Sequence, residues 1–197
     1  MIELECLMEL HTSIDEAEKR IVSSGAKYKT TNKIIDTYYY DPKTGRFSLN
    51  SQNKLTEALR LRRIVNENKN IITYKKDHYL GASWLYSDEY ELSVSSFYDA
   101  NTLLGKIGYS YLVNLRMEKK IFEYDKYTIV LEKVQHLGNF IEMELSYQIR
   151  ERQVLLEKQK IIETISQFNL ETSSELNSGK PELMLLKKKL NNNGTQF

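Results

Sequence analysis

The sequence predicts an α+β fold, in which an antiparallel sheet closes into a barrel or tunnel around a charged interior and helices pack outside. Three observations lead to it. Most of the chain falls into short segments of strand periodicity separated by turn-forming residues. Four of those segments alternate charged with apolar residues, which puts charge on one face of the strand and apolar side chains on the other. Helical periodicity is confined to a few short stretches. The 197 residues suit one domain, expected over 1–190 with a disordered tail at 191–197.

In chain order, Ile2 to Leu10 alternates apolar and acidic residues and reads as a strand. Ser13-Ile14-Asp15-Glu16 has the capping-box pattern that opens a helix, and Gly25 stops it. Ile34 to Tyr40 is dense in Ile, Tyr and Thr and reads as the next strand. It ends at the turn Asp41-Pro42-Lys43-Thr44-Gly45, and a polar loop continues to about Leu55. Thr56 to Val65 and Ile71 to Lys76 form a hairpin around the polar cluster Asn66 to Asn70. After a loop at Gly81 come a strand, Leu85 to Val94, and a short helix, Asp99 to Ile107, ended by Gly108.

Three more strands, Tyr111 to Glu123, Tyr127 to Val134 and Asn139 to Tyr147, turn at Asp125-Lys126 and Leu137-Gly138. The period becomes helical from Arg150 to Phe168. There Val154, Leu155, Ile161, Ile162, Ile165 and Phe168 form an apolar stripe suited equally to covering the sheet or to pairing in a homodimer. Pro181 suits the first turn of a last helix through Leu190, whose Leu183 to Leu186 dock it on the same body.

Composition removes several functions. With 28 basic and 27 acidic residues the net charge is +1, too little global field for a nucleic-acid binder. The longest apolar runs fall short of the roughly 18 to 20 residues of a membrane span, so no membrane insertion is expected. The start Met1-Ile-Glu-Leu-Glu has acids where a signal peptide needs bases, which predicts a cytoplasmic protein. Cys6 stands alone, and His11, His78 and His136 lack ligand spacing, so zinc chemistry is not expected. Gly179-Lys180 invites a phosphate-loop reading, but Ser174 and Pro181 break the motif.

The charges that remain are arranged by face. Glu3 and Glu5 oppose Ile2, Leu4 and Cys6; Arg60 and Arg62 oppose Leu59 and Leu61; Glu89 and Glu91 oppose Tyr90 and Leu92; Glu142 and Glu144 oppose Ile141, Met143 and Leu145. Lys75 extends the set on the hairpin partner of the arginine strand. One such pair is an ordinary solvated face with cross-strand ion pairs. Four pairs backed by strongly apolar faces point instead to a closed sheet with helices outside and charge within. Burying both signs together is costly unless a ligand carries both. Carboxylates supply hard oxygens for Mg²⁺ or Mn²⁺, and arginine forks and lysines match phosphate. A metal-bound polyphosphate uses both sets.

On these residues the chain resembles the CYTH superfamily of class IV adenylyl cyclases, thiamine triphosphatases and related triphosphate tunnel metalloenzymes, and is most similar to the bacterial class IV cyclase branch. Glu3-Leu4-Glu5 resembles the Glu-x-Glu-x-Lys opening. Asp36-Thr37-Tyr38-Tyr39-Tyr40, Glu57 to Arg63, Ile72-Thr73-Tyr74-Lys75, Leu137 to Glu144 and Pro181 to Leu185 resemble later segments in the same order and spacing. The resemblance implies an eight-stranded antiparallel barrel that holds a triphosphate and a divalent metal. It implies metal roles for Glu3, Glu5, Glu132, Glu142 and Glu144, phosphate grip by Arg60, Arg62, Lys75 and Lys119, catalytic roles for Lys75, Arg116 and Lys119, and further tunnel acids at Glu89 and Glu91. Two positions depart from the pattern. Leu7 stands where the opening motif has Lys, and the later Lys-x-Arg falls on Met117 and Lys119, with Arg116 one residue away.

The leading expectation is a cyclase that converts ATP to cyclic AMP and pyrophosphate. The alternative is a triphosphatase acting on thiamine triphosphate, tripolyphosphate or a nucleoside triphosphate. Leu7 and Met117 motivate a third reading, a binder of nucleotide or polyphosphate that does not turn it over.

Overall fold

The computed structural model describes residues 2–193. Its strands are β1 (Ile2–Glu3), β2 (Glu5–Glu9), β3 (Lys27–Tyr40), β4 (Glu57–Ile64), β5 (Lys69–Leu80), β6 (Ser83–Val94), β7 (Ser110–Tyr124), β8 (Tyr127–Val134) and β9 (Gly138–Leu145). Its helices are α1 (Ile14–Ser23), α2 (Phe97–Lys106), α3 (Val154–Gln167) and α4 (Lys180–Asn193). All pairings are antiparallel, in the order β1-β6-β5-β4-β3-β7-β8-β9-β2.

The two ends of this sheet are one piece of chain. The segment Ile2–Glu9 is split at Leu4: its first half pairs with β6, its second with β9, and the Leu145 N–H donates to the Leu4 carbonyl at 2.9 Å. The predicted eight-stranded barrel is therefore a nine-strand, nearly closed one, because the segment read as a single strand bends to serve both edges.

Alternation sorts the side chains. The outward apolar faces meet α1 and α3 in one core containing Leu4, Cys6, Met8, Ile21, Phe122, Ile129, Ile161 and Ile165. A smaller core under α2 joins Tyr39, Leu61, Ala100 and Leu104. In α1 the Ser13 side chain accepts the Glu16 N–H, and Gly25, at φ +104°, supplies the left-handed residue that ends the helix. α3 covers the barrel with Val154, Ile161, Ile165 and Phe168. Leu155, predicted on its stripe, is exposed, because the helix turns that position away from the sheet.

The predicted strand at Ile34 starts seven residues earlier, at Lys27. Its first half is polar and shows no apolar alternation, and it is held as strand by pairing with β7 along its whole length. α4 runs to Asn193, past the expected end at Leu190, and the rest of the expected tail lies outside the described residues. Among the described residues no helix is long and apolar enough to cross a membrane.

Candidate active site in the barrel

Register aligns the inward residues. Asp36 pairs with Arg62, Arg60 with Thr73, Thr73 with Glu91, Lys75 with Glu89, Lys119 with Glu132, and Glu5 with Glu144. All of these but Glu132, which lies behind Lys119, border a cavity of about 640 Å³. Its lining carries five cations, Arg60, Arg62, Lys75, Lys119 and Lys180. Against them stand nine carboxylates: Glu3, Glu5, Asp36, Asp77, Glu89, Glu91, Glu142, Glu144 and Glu182. The lining therefore carries more acidic than basic side chains.

Three groups divide these charges. In the first, Lys75 Nζ lies 2.6 Å from Glu3 Oε2, 2.8 Å from Glu5 Oε1 and 3.8 Å from Glu89 Oε2. Burial pushes Glu3 up in spite of Lys75. Burial, aided by the charges of Glu142 and Glu3, raises Glu5 to about 7. Glu144 rises further, to about 8, through burial and the charges of Glu3, Glu5 and Glu142. For Lys75 burial works downward, but Glu3 and Glu5 outweigh it and hold the ammonium well above its ordinary value.

In the second group, Arg62 Nε and Nη2 donate to the two Asp36 oxygens, both at 2.8 Å. Arg60 Nη2 reaches Thr73 Oγ1 and Glu89 Oε1 at 3.0 Å, while Arg60 Nε, also buried, has no hydrogen-bond partner. Burial would raise Asp36, but the charges of Arg62 and then Arg60 hold it at about 2.

In the third group, Lys119 Nζ lies 2.7 Å and Lys180 Nζ 3.0 Å from Glu132, and Lys180 is 2.5 Å from Glu142. Burial opposes ionisation of Glu142, yet Lys119 and Lys180 keep it well below the ordinary carboxylate range.

Of the residues predicted for the site, Glu3, Glu5, Arg60, Arg62, Lys75, Glu89, Glu91, Lys119, Glu142 and Glu144 line the cavity. Glu132 is fully buried behind Lys119, and Glu91 stands half-exposed. Arg116 does not join them. It is exposed on the outward face of β7, because Met117 and Lys119 take the inward positions and its neighbour in register must point the other way.

Leu7 and Met117 lie in a buried apolar cluster with Ile34, Val134, Phe140 and Met184 of α4, so side chains that pack replace the two expected cations. Sequence reasoning missed Lys180, Asp77 and Trp84 on the lining and gave Asp36 no role. Lys180 carried one signal, a cation at the first residue of a helix, where the dipole disfavours it.

The oxygen donors suit Mg²⁺ or Mn²⁺, and the raised Glu144 marks a crowd of carboxylates that such an ion would relieve. Among the described residues no three potential ligands converge as a ready-made cage. Lys75 occupies the space between Glu3 and Glu5, so those residues fit a metal once the lysine moves aside.

The sequence profile of the CYTH domain matches residues 1–177. No curated protein matches the sequence. Among solved structures, the PH1819 protein of Pyrococcus horikoshii OT3 superposes with a TM-score of 0.77 at 21% identity, covering 93% of this chain and 99% of that one. A proposed adenylate cyclase of Vibrio parahaemolyticus gives 0.75 at 15% identity, covering 93% and 98%. HpAC1 of Hippeastrum, a proposed adenylyl cyclase with a dominant triphosphatase activity, gives 0.63 at 13% identity, covering 94% and 96%. These identities carry the fold alone, but the profile spans most of the sequence and the barrel is shared: the chain belongs to the CYTH family.

Proposed function

We propose that this chain is a divalent-metal-dependent enzyme that cleaves a triphosphate held inside its barrel, and that hydrolysis is the reaction the cavity favours. The observation that carries the proposal is the juxtaposition in one cavity of Glu3, Glu5 and Glu144 with Arg60, Arg62 and Lys75. The acids would hold Mg²⁺ or Mn²⁺, which when bound neutralises phosphate charge and polarises the phosphorus–oxygen bonds. Arg60, with its unpartnered Nε, and Arg62 would grip phosphate oxygens as forks, and Lys75, Lys119 and Lys180 as point charges. The aliphatic lining, Leu7, Ile34, Val130 and Ile121, lowers the polarity around these contacts and strengthens each of them.

Hydrolysis is favoured because, among the described residues, the lining offers no free aromatic face to a nucleobase. Tyr38 is buried, and the ring of Trp84 already carries Lys75 and Lys158, each 5.2 Å from its centroid. The dominant triphosphatase activity of HpAC1 supports the same reading. Cyclisation of ATP is the second reading, supported by the Asp36 to Tyr40 segment and by the Vibrio neighbour. Incubating the protein with tripolyphosphate, thiamine triphosphate and ATP under Mg²⁺ or Mn²⁺ and separating the products decides between them. Orthophosphate is the expected product, and cyclic AMP with pyrophosphate would establish the cyclase instead. Binding without any product would leave a sensor. Glu3→Ala and Arg62→Ala should each lower turnover at least about 100-fold.

A second expectation concerns pH. Glu144 is raised to about 8, so the folded protein binds a proton there that the unfolded chain has released. Without metal, the contribution of Glu144 is complete below the ordinary carboxylate value and is lost as pH rises towards 8. Metal needs the deprotonated carboxylate, so Mg²⁺ should raise the Tm more at about pH 9 than at about pH 6. A Mg²⁺ shift independent of pH would remove Glu144 from the metal set.

A further inference from the structure

Trp84 is the only tryptophan in the chain, and a bulge turns it into the cavity. His78 pairs with Tyr86 but Tyr79 pairs with Trp84, so Leu85 is an extra residue and position 84 moves to the inner face. The ring is buried there. Its indole N–H donates to Ser87 Oγ at 3.2 Å, and Ser87 donates to Asp77 at 2.6 Å. Its backbone N–H donates to Asn177 Oδ1 at 2.8 Å. The residue is thus held once through its ring and once through its backbone.

Two ammonium groups lie over this ring, and they differ in what else they hold. Lys158 is paired with Glu175 at 2.6 Å and donates to the Trp84 carbonyl, and neither partner is a candidate metal ligand. Lys75 is held by Glu3 and Glu5, the carboxylates a divalent cation would take. If they turned to a metal, Lys75 would lose its two short contacts at once and keep only Glu89 at 3.8 Å, and a buried ammonium with so little pairing is costly. What metal binding does not remove beside it is the indole face and the more distant Glu89 carboxylate at 3.8 Å, which is itself engaged by Arg60.

We propose that Trp84 is a positioning residue for Lys75, its ring holding the ammonium in the cavity when metal draws Glu3 and Glu5 away, so that Lys75 is presented to phosphate. This rests on the proposed function, since it assumes that a metal and a phosphate chain enter together. In the free protein Lys75 has two short carboxylate contacts and depends little on the ring; in the loaded protein it depends on the ring and the phosphate, with Glu89 more distant. Trp84 therefore contributes more to ligand affinity than to the Lys75 contacts of the free state.

The test is a double-mutant cycle on the full chain, titrating Mg²⁺-tripolyphosphate calorimetrically into wild type, Trp84→Phe, Trp84→Leu, Lys75→Met and the Trp84→Leu/Lys75→Met pair. Affinity should fall in the order Trp, Phe, Leu, with Trp84→Leu weakened up to about thirtyfold, the value of a desolvated cation–π contact. In the Lys75→Met background the same change should weaken binding less than about threefold. Ligand should also shift the emission of the lone tryptophan in wild type and leave it nearly unmoved in Lys75→Met, a signal that packing alone does not produce. Thermal melts check that each variant folds, and Trp84→Phe keeps the ring shape if Trp84→Leu does not. If wild type binds but Trp84→Leu loses the same factor in both backgrounds, the inference falls and the proposed function stands. If wild type fails to bind Mg²⁺-tripolyphosphate, the inference is overturned together with the reading beneath it.

Discussion

Asp36→Ala is expected to cost about 3–5 kcal/mol of folding stability, the range for removing one partner of a buried ion pair. Asp36 is 1% exposed and accepts both prongs of the Arg62 guanidinium at 2.8 Å, and Arg60 Nη1 stands 3.9 Å from the same carboxylate. Burial and each other's charge already press on the two arginines, so removing Asp36 leaves two guanidiniums in the barrel with one fewer anion between them. The loss also carries a pH signature. Asp36 is held at about 2 in the folded protein, below its unfolded value, so its contribution is complete above about pH 4 and disappears as pH falls through 2. Urea denaturation of wild type and variant at neutral pH measures the cost, and the two stabilities should converge in strong acid. A loss under about 1 kcal/mol would mean that Arg62 finds another anion. Tripolyphosphate with Mg²⁺, if it supplies that anion, should return part of the loss.

What could be read from the sequence was what alternation encodes. Glu3 and Glu5, Arg60 and Arg62, Glu89 and Glu91, and Glu142 and Glu144 lie on the inner face because a period of two leaves no other choice once the opposite residues are apolar. Arg116 fails for the same reason in reverse: the family position falls on Met117, and the one-residue slip that would use Arg116 gives it the parity of the outward residues Glu118 and Lys120. The polar start of β3 had no alternation to read, and its strand character comes from pairing with β7 far along the chain. Trp84 was hidden because a bulge reverses parity, and nothing local announces a bulge. Leu7 and Met117 were visible as departures, but not the reason they are tolerated: they pack against one another's neighbours and α4. Lys180 sits in a broken phosphate-loop pattern, but a lone lysine needs no motif to reach the barrel lining from a docked helix.

Lys180→Met is the second large effect expected, and it tests whether α4 belongs to the site. The family profile ends at residue 177, three positions before this lysine, yet Lys180 supplies a cation on a lining that Leu7 and Met117 have left without theirs. It neutralises Glu132, which has no exposure, and Glu142 together with Lys119. Removing it asks one lysine to balance two buried carboxylates, which should cost about 3 kcal/mol or more near pH 8. The carboxylate left unpaired then has a folded pKa raised above its unfolded value. Such a group contributes fully below the unfolded value and loses stability as pH rises, so the penalty should shrink towards about pH 5, where one proton can replace the missing charge. Wild-type Glu142 behaves oppositely, being held well below its ordinary range, so variant and wild type should diverge as pH rises. Adding Glu142→Gln to Lys180→Met should recover much of the neutral-pH loss, because a neutral amide needs no counter-charge. An equal loss at both pH values, unaffected by Glu142→Gln, would place the role of Lys180 in packing α4. The expected pattern would make the C-terminal helix part of the electrostatic interior of the barrel.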